Sequence, residues 1–418
     1  MPQLQLPSWL PELNPQVWIL ALGRFLSQTG TGFTLFYAPI FFVNHVGLSA
    51  TAVGLGLGSA QVSGILGRLL GGSFCDSQFW GRRRTLLLSA LVSSLASFIL
   101  ASAHNFSIFI IGNLLMGLGI GLYWPATEAV VADLTKGQQR QEAFALTRVA
   151  DNLGLQVGII LGGLLIAATG AYRLLFVIDG ISFLVFFGVV LIAISETYQP
   201  ELNSDAKVSR TQLNGWMVAL RDRSLLVFAT VNILFTLYIS QLQSTMPLYL
   251  TNFVSLGASG KGFSTTTISF FFAYYTILMV VLQLPATRAL RRFSHSQALI
   301  VSSLLWGMGF ILIGLTGIAT SFHLFLALVG LSILSVATVS YTPYASSIVA
   351  DLAPDSLRGV YLAINSQCWA IGYLIGPPLG GWALDLGQAA AHHYWLVLAA
   401  SIGVAIGILQ QLDRLLKQ

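Results

Sequence analysis

Asp351-Leu352-Ala353-Pro354, then Arg358-Gly359, then Gly372-x-x-x-Gly376-Pro377-Pro378-Leu379-Gly380-Gly381 is a stretch that the chain carries twice. Subtracting 218 carries Asp351 onto Asp133, Leu352 onto Leu134 and Arg358 onto Arg140. The same shift carries Gly372, Gly376, Leu379, Gly380 and Gly381 onto Gly154, Gly158, Leu161, Gly162 and Gly163. Upstream it carries Tyr341 and Pro343 onto Tyr123 and Pro125. Identities at one ungapped offset mark an internal duplication. A smaller set lies at a shift of 208, which carries Pro39 onto Pro247 and Arg83-Arg84 onto Arg291-Arg292. The second copy therefore holds about ten extra residues between its early and late parts.

Composition says where such a duplicated chain can live. Charged residues are 8% of the 418, against roughly 25% in soluble domains. Hydrophobic residues are 55% and the mean hydropathy is +0.78. That leaves too little polar surface for a large soluble enzyme. The net charge of +5 comes from arginines and lysines in short stretches between apolar runs, a pattern of membrane topology and not of nucleic-acid binding. Cys75 and Cys368 stand alone in apolar surroundings and give neither a disulfide framework nor a metal site. Met1 to Gln16 holds four prolines, Glu12 and no Lys or Arg, so no cleavable signal peptide is expected and the first span should be retained.

A membrane-crossing helix needs about 20 mostly apolar residues. Twelve such spans are predicted, near 17–43, 50–75, 85–103, 107–132, 142–169, 173–194, 225–253, 264–287, 297–318, 322–350, 360–385 and 394–412. The polar segment Ser195 to Asp222 divides them six and six. The expected fold is an all-α membrane protein of twelve transmembrane helices in two pseudo-symmetric six-helix bundles. The expected boundaries are 1–194 for the first bundle, 195–223 for a cytoplasmic linker and 224–418 for the second bundle. With both termini inside, fifteen basic residues (Arg82–Arg84, Lys136, Arg140, Lys207, Arg210, Arg221, Arg223, Arg288, Arg291, Arg292, Arg358, Arg414 and Lys417) face the cytoplasm. Arg173 and Lys261 alone face outward, which fixes the expected orientation.

Ionisable groups inside spans are costly and are functional candidates by default. Arg24, Arg68, Glu128, Arg148, Asp151 and Asp179 are such groups, and all lie in the first half. Three positives balance three negatives. Arg148 and Asp151, three residues apart, share a helix face, so a local pair is one reading. Glu128, Asp151 and Asp179 are the candidate proton carriers, with Arg24, Arg68 and Arg148 as charge partners. From Leu225 to Ala383 no charged residue falls within a predicted span. Polarity there comes from amides, hydroxyls and aromatics, among them Gln241, Tyr274, Tyr341, Asn365 and Trp369. With Asn113 these are the candidate cavity residues, suited to a largely apolar ligand with a few hydrogen-bonding groups. Small residues at four-residue spacing let helix backbones approach. Gly154, Gly158, Gly162 and Gly163, and Gly372, Gly376, Pro377, Gly380 and Gly381, read as packing seams.

Two six-span halves with an inside linker resemble the major facilitator superfamily along essentially the whole chain. The most specific marker is Gly72-Ser73-Phe74-Cys75-Asp76-Ser77-Gln78-Phe79-Trp80-Gly81-Arg82-Arg83-Arg84. It is similar to that family's loop signature between spans two and three, with two extra residues before Gly81 and Ser77 at a usually basic position. The resemblance implies a conformational latch built from Asp76, Gly81, Arg82, Arg83 and Arg84, with Asp133 as the partner of the arginine run. Span five resembles the glycine motif of the family's antiporters, but Leu161 or a neighbour stands at the usual proline. In span four, Asn113-x-x-x-Gly117-x-Gly119 stands where drug/proton antiporters have an arginine. Asparagine cannot hold that charge, so any coupling has to run through an acid such as Glu128, Asp151 or Asp179.

The resemblance implies a secondary transporter working by alternating access, most like the drug:proton antiporter branch. Expected partners are a small lipophilic or amphipathic substrate, protons and membrane lipid, with no nucleic acid, no cofactor and no metal. The alternative is uptake or efflux of a sugar or another polar metabolite. The family works as monomers, and a multi-pass protein of the plasma (inner) membrane is expected. An enzyme acting on lipid would need a catalytic constellation, yet His45, His104, His295, His323, His392 and His393 scatter without metal-ligand spacing. No phosphate-binding Gly-Lys-Ser/Thr loop is present, which argues against an ATP-driven pump.

Overall fold

The computed structural model describes residues 13–198, 216–256, 262–354 and 357–417. Most of the expected linker, with Lys207 and Arg210, lies outside them, as does Lys261. The helices of the first half are α1 (Pro15–Leu35), α2 (Tyr37–Asn44), α3 (Ala50–Cys75), α4 (Gly81–Ser102), α5 (Phe106–Leu134), α6 (Gly137–Thr169) and α7 (Tyr172–Ala193). Those of the second are α8 (Arg223–Gln243), α9 (Thr245–Asn252), α10 (Thr265–Leu290), α11 (His295–Ile318), α12 (His323–Leu352), α13 (Arg358–Asp385) and α14 (Gln388–Leu416). Among the described residues ten helices are long and apolar enough to cross a membrane. The others of spanning length are α1, diluted by Arg24 and hydroxyl residues, and α13, diluted by glycine and amide residues. Together they give the twelve-span architecture.

The expected spans 17–43 and 225–253 are each broken into two helices, at Phe36 and Ser244. The cause is the duplicated proline. A proline lacks the N–H for the helical hydrogen bond and its ring crowds the carbonyl four residues back. Four residues before Pro39 and Pro247 are Leu35 and Gln243, the last residues of α1 and α8. Helix ends register the repeat. A shift of 208 carries α1 onto α8 and α2 onto α9, residue for residue at both ends. A shift of 218 carries the C-terminal residue of α5 onto that of α12. Much of the extra length enters between α9 and α10, where twelve residues replace the five between α2 and α3. Arg291 and Arg292 consequently lie in the turn before α11, whereas Arg83 and Arg84 lie in the first turn of α4.

The chain forms two compact units. The first comprises residues 1–35 and 62–200. Its core joins Val17 and Leu20 of α1, Leu86 and Ala90 of α4, Tyr123, Ala126 and Val130 of α5, and Phe186 and Val190 of α7. The seam between α1 and α6 is tight because of glycine. A Cβ at Gly158 would strike the Thr29 carbonyl oxygen and come within 2.9 Å of Gly32 Cα. The second unit comprises residues 36–61 and 201–418. Its counterpart seam, α8 on α13, places Gly372 against Thr236 and Gly376 against Ser240. The outer glycines of the motif, Gly380 and Gly381, meet Thr245 and Ala50, and Pro377 and Pro378 lie inside the continuous α13. Gly162 and Gly163 lie on α6.

Candidate functional site

Three helices bring the charged groups of the first unit together. Arg24, on the apolar α1, is 2% exposed. Such burial is tolerable only with a partner, and Asp151 of α6 provides it. Arg24 Nε donates to Asp151 Oδ1 at 2.9 Å, and an Nη donates to Oδ2. Tyr123 of α5 donates its hydroxyl to Asp151 Oδ1 at 3.3 Å. The guanidinium carbon of Arg24 lies 5.4 Å from the Tyr123 ring centre and 5.8 Å from that of Trp124, within cation–π range. Trp124 also faces Arg148, at 4.7 Å. Arg148 does not join Asp151 on its own helix. It donates to Glu128 of α5 at 2.9 Å, and both side chains are about half exposed. Arg68, half-buried on α3, feels the charge of Glu128. Equal spacing on a helix says that two residues share a face, but an opposing helix can offer each a nearer partner.

Tyr123 and Trp124 also line a hollow of about 120 Å³. One wall is polar: Ser27, Gln28 and Thr31 of α1, with Ser89 and Ser93 of α4. The other is apolar and mostly aromatic: Ile120, Tyr123, Trp124, Phe183 and Phe186. Asp179 of α7 lies near it, 1% exposed, and accepts from Ser97 Oγ at 2.7 Å. Among the described residues no cation pairs with it. Asn113, on α5, donates to the Phe109 carbonyl of its own helix at 2.9 Å and is buried.

In the second unit an uncharged network occupies part of the corresponding region, with Trp369 at the place of Asp151 under the shift of 218. The shift of 208 carries Arg24 onto Asn232, and the shift of 218 carries Tyr123 onto Tyr341. Tyr341 donates to Asn232 Oδ1 at 2.5 Å, and Asn232 donates to Asn365 Oδ1 at 2.8 Å. Asn365, Trp369 and Tyr373 follow at four-residue spacing on α13, with the last two rings stacked at 6.1 Å. Tyr373 donates to Gln243 at 3.0 Å. Gln241 is fully buried; its side chain donates to the Gly376 carbonyl and accepts from Thr245, tying α8 to α13. Tyr274 hydrogen-bonds Ser332 of α12 at 2.8 Å. Tyr373 and the hollow's lining by Phe183 and Phe186 escaped the sequence reading, and so did the bonding of Asn232 to Tyr341 and Asn365. The shift of 208 applied to Arg24 would have marked Asn232 as its counterpart.

The arginine-rich loop is held at the end of the first unit. Arg82 Nε lies 3.1 Å from Asp133 Oδ2, and an Arg82 Nη lies 3.7 Å from Asp76, which is largely exposed. Thr197 donates to the same Asp133 oxygen at 2.8 Å, and Tyr198 covers the Arg82 guanidinium at 4.5 Å. Gly81 turns the chain with φ +75°, a conformation that favours glycine. Arg83 donates to the Leu191 carbonyl and Arg84 to that of Phe79. Glu196, not singled out from the sequence, accepts from the backbone N–H groups of Arg82 and Arg83 at 2.9 and 3.1 Å. It thereby satisfies two of the unpaired donors at the start of α4. In the second unit Asp385 does the same for α3, accepting from Ala50 N, Thr51 N and Thr51 Oγ1 at 2.9, 2.8 and 2.5 Å.

The chain is a duplicated all-helical membrane protein with a buried Arg24–Asp151 pair beside a small hollow. A sequence profile of the Major Facilitator Superfamily matches residues 20–265 and 254–412, and the chain belongs to that superfamily. It is 25% identical over 398 residues to a Na(+), Li(+), K(+)/H(+) antiporter of Planococcus maritimus, covering 89% of this chain and 91% of that protein. It is 26% identical over 355 residues to the multidrug resistance protein MdtH of Cronobacter sakazakii, covering 84% and 82%. The nucleoside transporter NupG shares the fold, with a TM-score of 0.79 at 13% identity over 95% of this chain and 99% of its own. These relatives and neighbours are membrane transporters, not enzymes.

Proposed function

We propose that this transporter exports a small lipophilic or amphipathic molecule in exchange for protons, by alternating access, as a monomer in the plasma (inner) membrane with both termini in the cytoplasm. The observation that carries the reading is the asymmetry between the two copies. The first holds Arg24, Asp151, Glu128, Arg148 and Asp179, and a hollow lined partly by the Tyr123 and Trp124 rings that face Arg24. The second copy has neutral Asn232 and Trp369 at the places of Arg24 and Asp151, and joins Asn232 to Tyr341 and Asn365. Charge-bearing groups suited to coupling are thus confined to one copy, and Glu128, Asp151 and Asp179 are its acids. The multidrug resistance relative supports the cargo class. Asp76, Gly81, Arg82, Arg83, Arg84 and Asp133 serve as the latch at the cytoplasmic end, which the Arg82–Asp133 contact supports.

A second reading, exchange of an alkali cation for protons, is favoured by the similarity to the Planococcus antiporter and by the modest volume of the hollow. Ligand pockets for drug-sized molecules run from about 300 Å³ upward. Reconstituted vesicles with a trapped pH dye separate the readings. Ethidium is added under a pH gradient in one series, and sodium, lithium or potassium chloride in another, with glucose and uridine as polar cargo. Proton movement with ethidium supports drug export. Movement with the salts alone supports cation exchange. Flux of glucose or uridine without ethidium transport would replace both by the polar-metabolite alternative.

A further inference from the structure

Asp179 differs from the other acids of the first unit. Asp151 is matched by Arg24 and Glu128 by Arg148. Asp179 has Ser97 on one oxygen, while Oδ1 has no hydrogen-bond partner among the described residues. Its surroundings are closed by three helices. From α4, Ser94 donates to the Gly180 carbonyl at 2.9 Å. From α7 itself, Ser182 donates to the Asp179 carbonyl at 2.7 Å. From α1, Gly30 lies over the free oxygen, and a Cβ there would approach Oδ1 to 2.9 Å. The ionisable groups of these helices point elsewhere. Arg24 is six residues from Gly30, about 9 Å along the helix, and is engaged by Asp151. Arg82, Arg83 and Arg84 lie at the far end of α4. Arg173 donates to the Ala101 and Ala103 carbonyls.

The Ser97 hydroxyl has one proton and is within hydrogen-bond reach of two acceptors, the Ser93 carbonyl at 3.1 Å and Asp179 Oδ2 at 2.7 Å. It can give only one of them a near-linear, full-strength bond. Both bonds form together when the carboxyl brings a proton of its own, donates it to Ser97 Oγ, and leaves the serine proton for Ser93. Ser89, Ser93 and Ser97 stand four residues apart on one face of α4 and are all buried. The first two line the hollow. Successive members are about 6 Å apart along the axis, a step that one water with two hydrogen bonds spans.

We propose that Asp179 is the group that binds the coupling proton, and that the Ser89–Ser93–Ser97 row is its path to the hollow. This rests on the antiport reading for its use, but not for its detection. The first test is difference infrared spectroscopy of the purified protein in lipid, between acid and alkaline buffers. A protonated-carboxyl band is expected in the wild type, in Asp151→Asn and in Glu128→Gln, and lost in Asp179→Asn. Persistence of the whole band in Asp179→Asn would overturn the assignment. In vesicles, Asp179→Asn is expected to lower proton movement on adding ethidium or sodium chloride to the level of empty vesicles, with Asp179→Glu keeping part of it. Wild-type proton movement in Asp179→Asn also overturns the proposal. If wild-type vesicles carry cargo without protons while the band behaves as expected, antiport fails and the proton site stands. Should Asp179→Asn not fold, Ser97→Ala decides. It is expected to shift the pH at which the band appears, and an unchanged titration would refute the site.

Discussion

At the scale of single residues, the pairing of Arg24 with Asp151 dominates. Removing one partner of a buried pair leaves an uncompensated charge, at a cost of about 3–5 kcal/mol. Arg24→Gln and Asp151→Asn should each lower the melting temperature in detergent markedly. The double variant should recover much of the loss, because no buried charge is then left without its partner. A double variant as unstable as the sum of its parents would show that the pair is not a closed unit. These acids and arginines were legible in the sequence because charge inside an apolar run stands out. Their pairing was not. Spacing reports only the face of one helix, and Arg148 turned to Glu128 across to α5. The partners of Asn232 and Tyr373 were illegible, since an uncharged polar residue in a span has too many ordinary uses.

At the scale of helices, the repeat fixed more than the number of spans. Gly154, Gly158 and Gly381 lie at close backbone approaches, and Gly372, Gly376 and Gly380 admit the hydroxyl side chains of Thr236, Ser240 and Thr245. Gly158→Val should force α6 off α1. Overpacking costs about 1–3 kcal/mol, and a lowered melting temperature with reduced transport is the expected outcome. A tolerated valine would mean that the seam has slack. Helix starts were harder to read. Glu196 caps α4 from more than a hundred residues away, and no local pattern announces a cap of that kind. Losing a capping side chain costs about 0.5–2 kcal/mol. In Glu196→Ala, hydrogen exchange at the Arg82 and Arg83 amides should quicken while the middle of α4 keeps its protection. Uniform acceleration along α4 would point to global unfolding instead. The breaks at Phe36 and Ser244 were missed for a related reason. Prolines also lie inside unbroken helices at Pro125, Pro285 and Pro343, so proline alone does not announce a break.

For the molecule as a whole, twelve spans and the duplication could be read from hydropathy and two offsets, because the membrane demands long apolar helices and the repeat preserves their ends. Orientation rests on the distribution of arginine and lysine and is open to direct measurement. Both native cysteines are buried, so single added cysteines report cleanly. Gln78 and Ser321 are exposed, in the loops before α4 and α12. In intact cells a membrane-impermeant maleimide should label Ser321→Cys and spare Gln78→Cys until the membrane is opened. The reverse pattern would invert the topology.

Asn44 and Asn252 close α2 and α9 on each other with two amide hydrogen bonds, one in each direction, at 2.9 and 2.8 Å. Each is the other's counterpart under the shift of 208. A residue here touches its own duplicate, as residues on the axis of a two-fold dimer do. Genetics at this position therefore works in pairs. A carboxylate in either copy still meets an amide donor, whereas carboxylates in both stand face to face with nothing to share. Any ancestor made of two identical subunits would have met both changes in a single mutation.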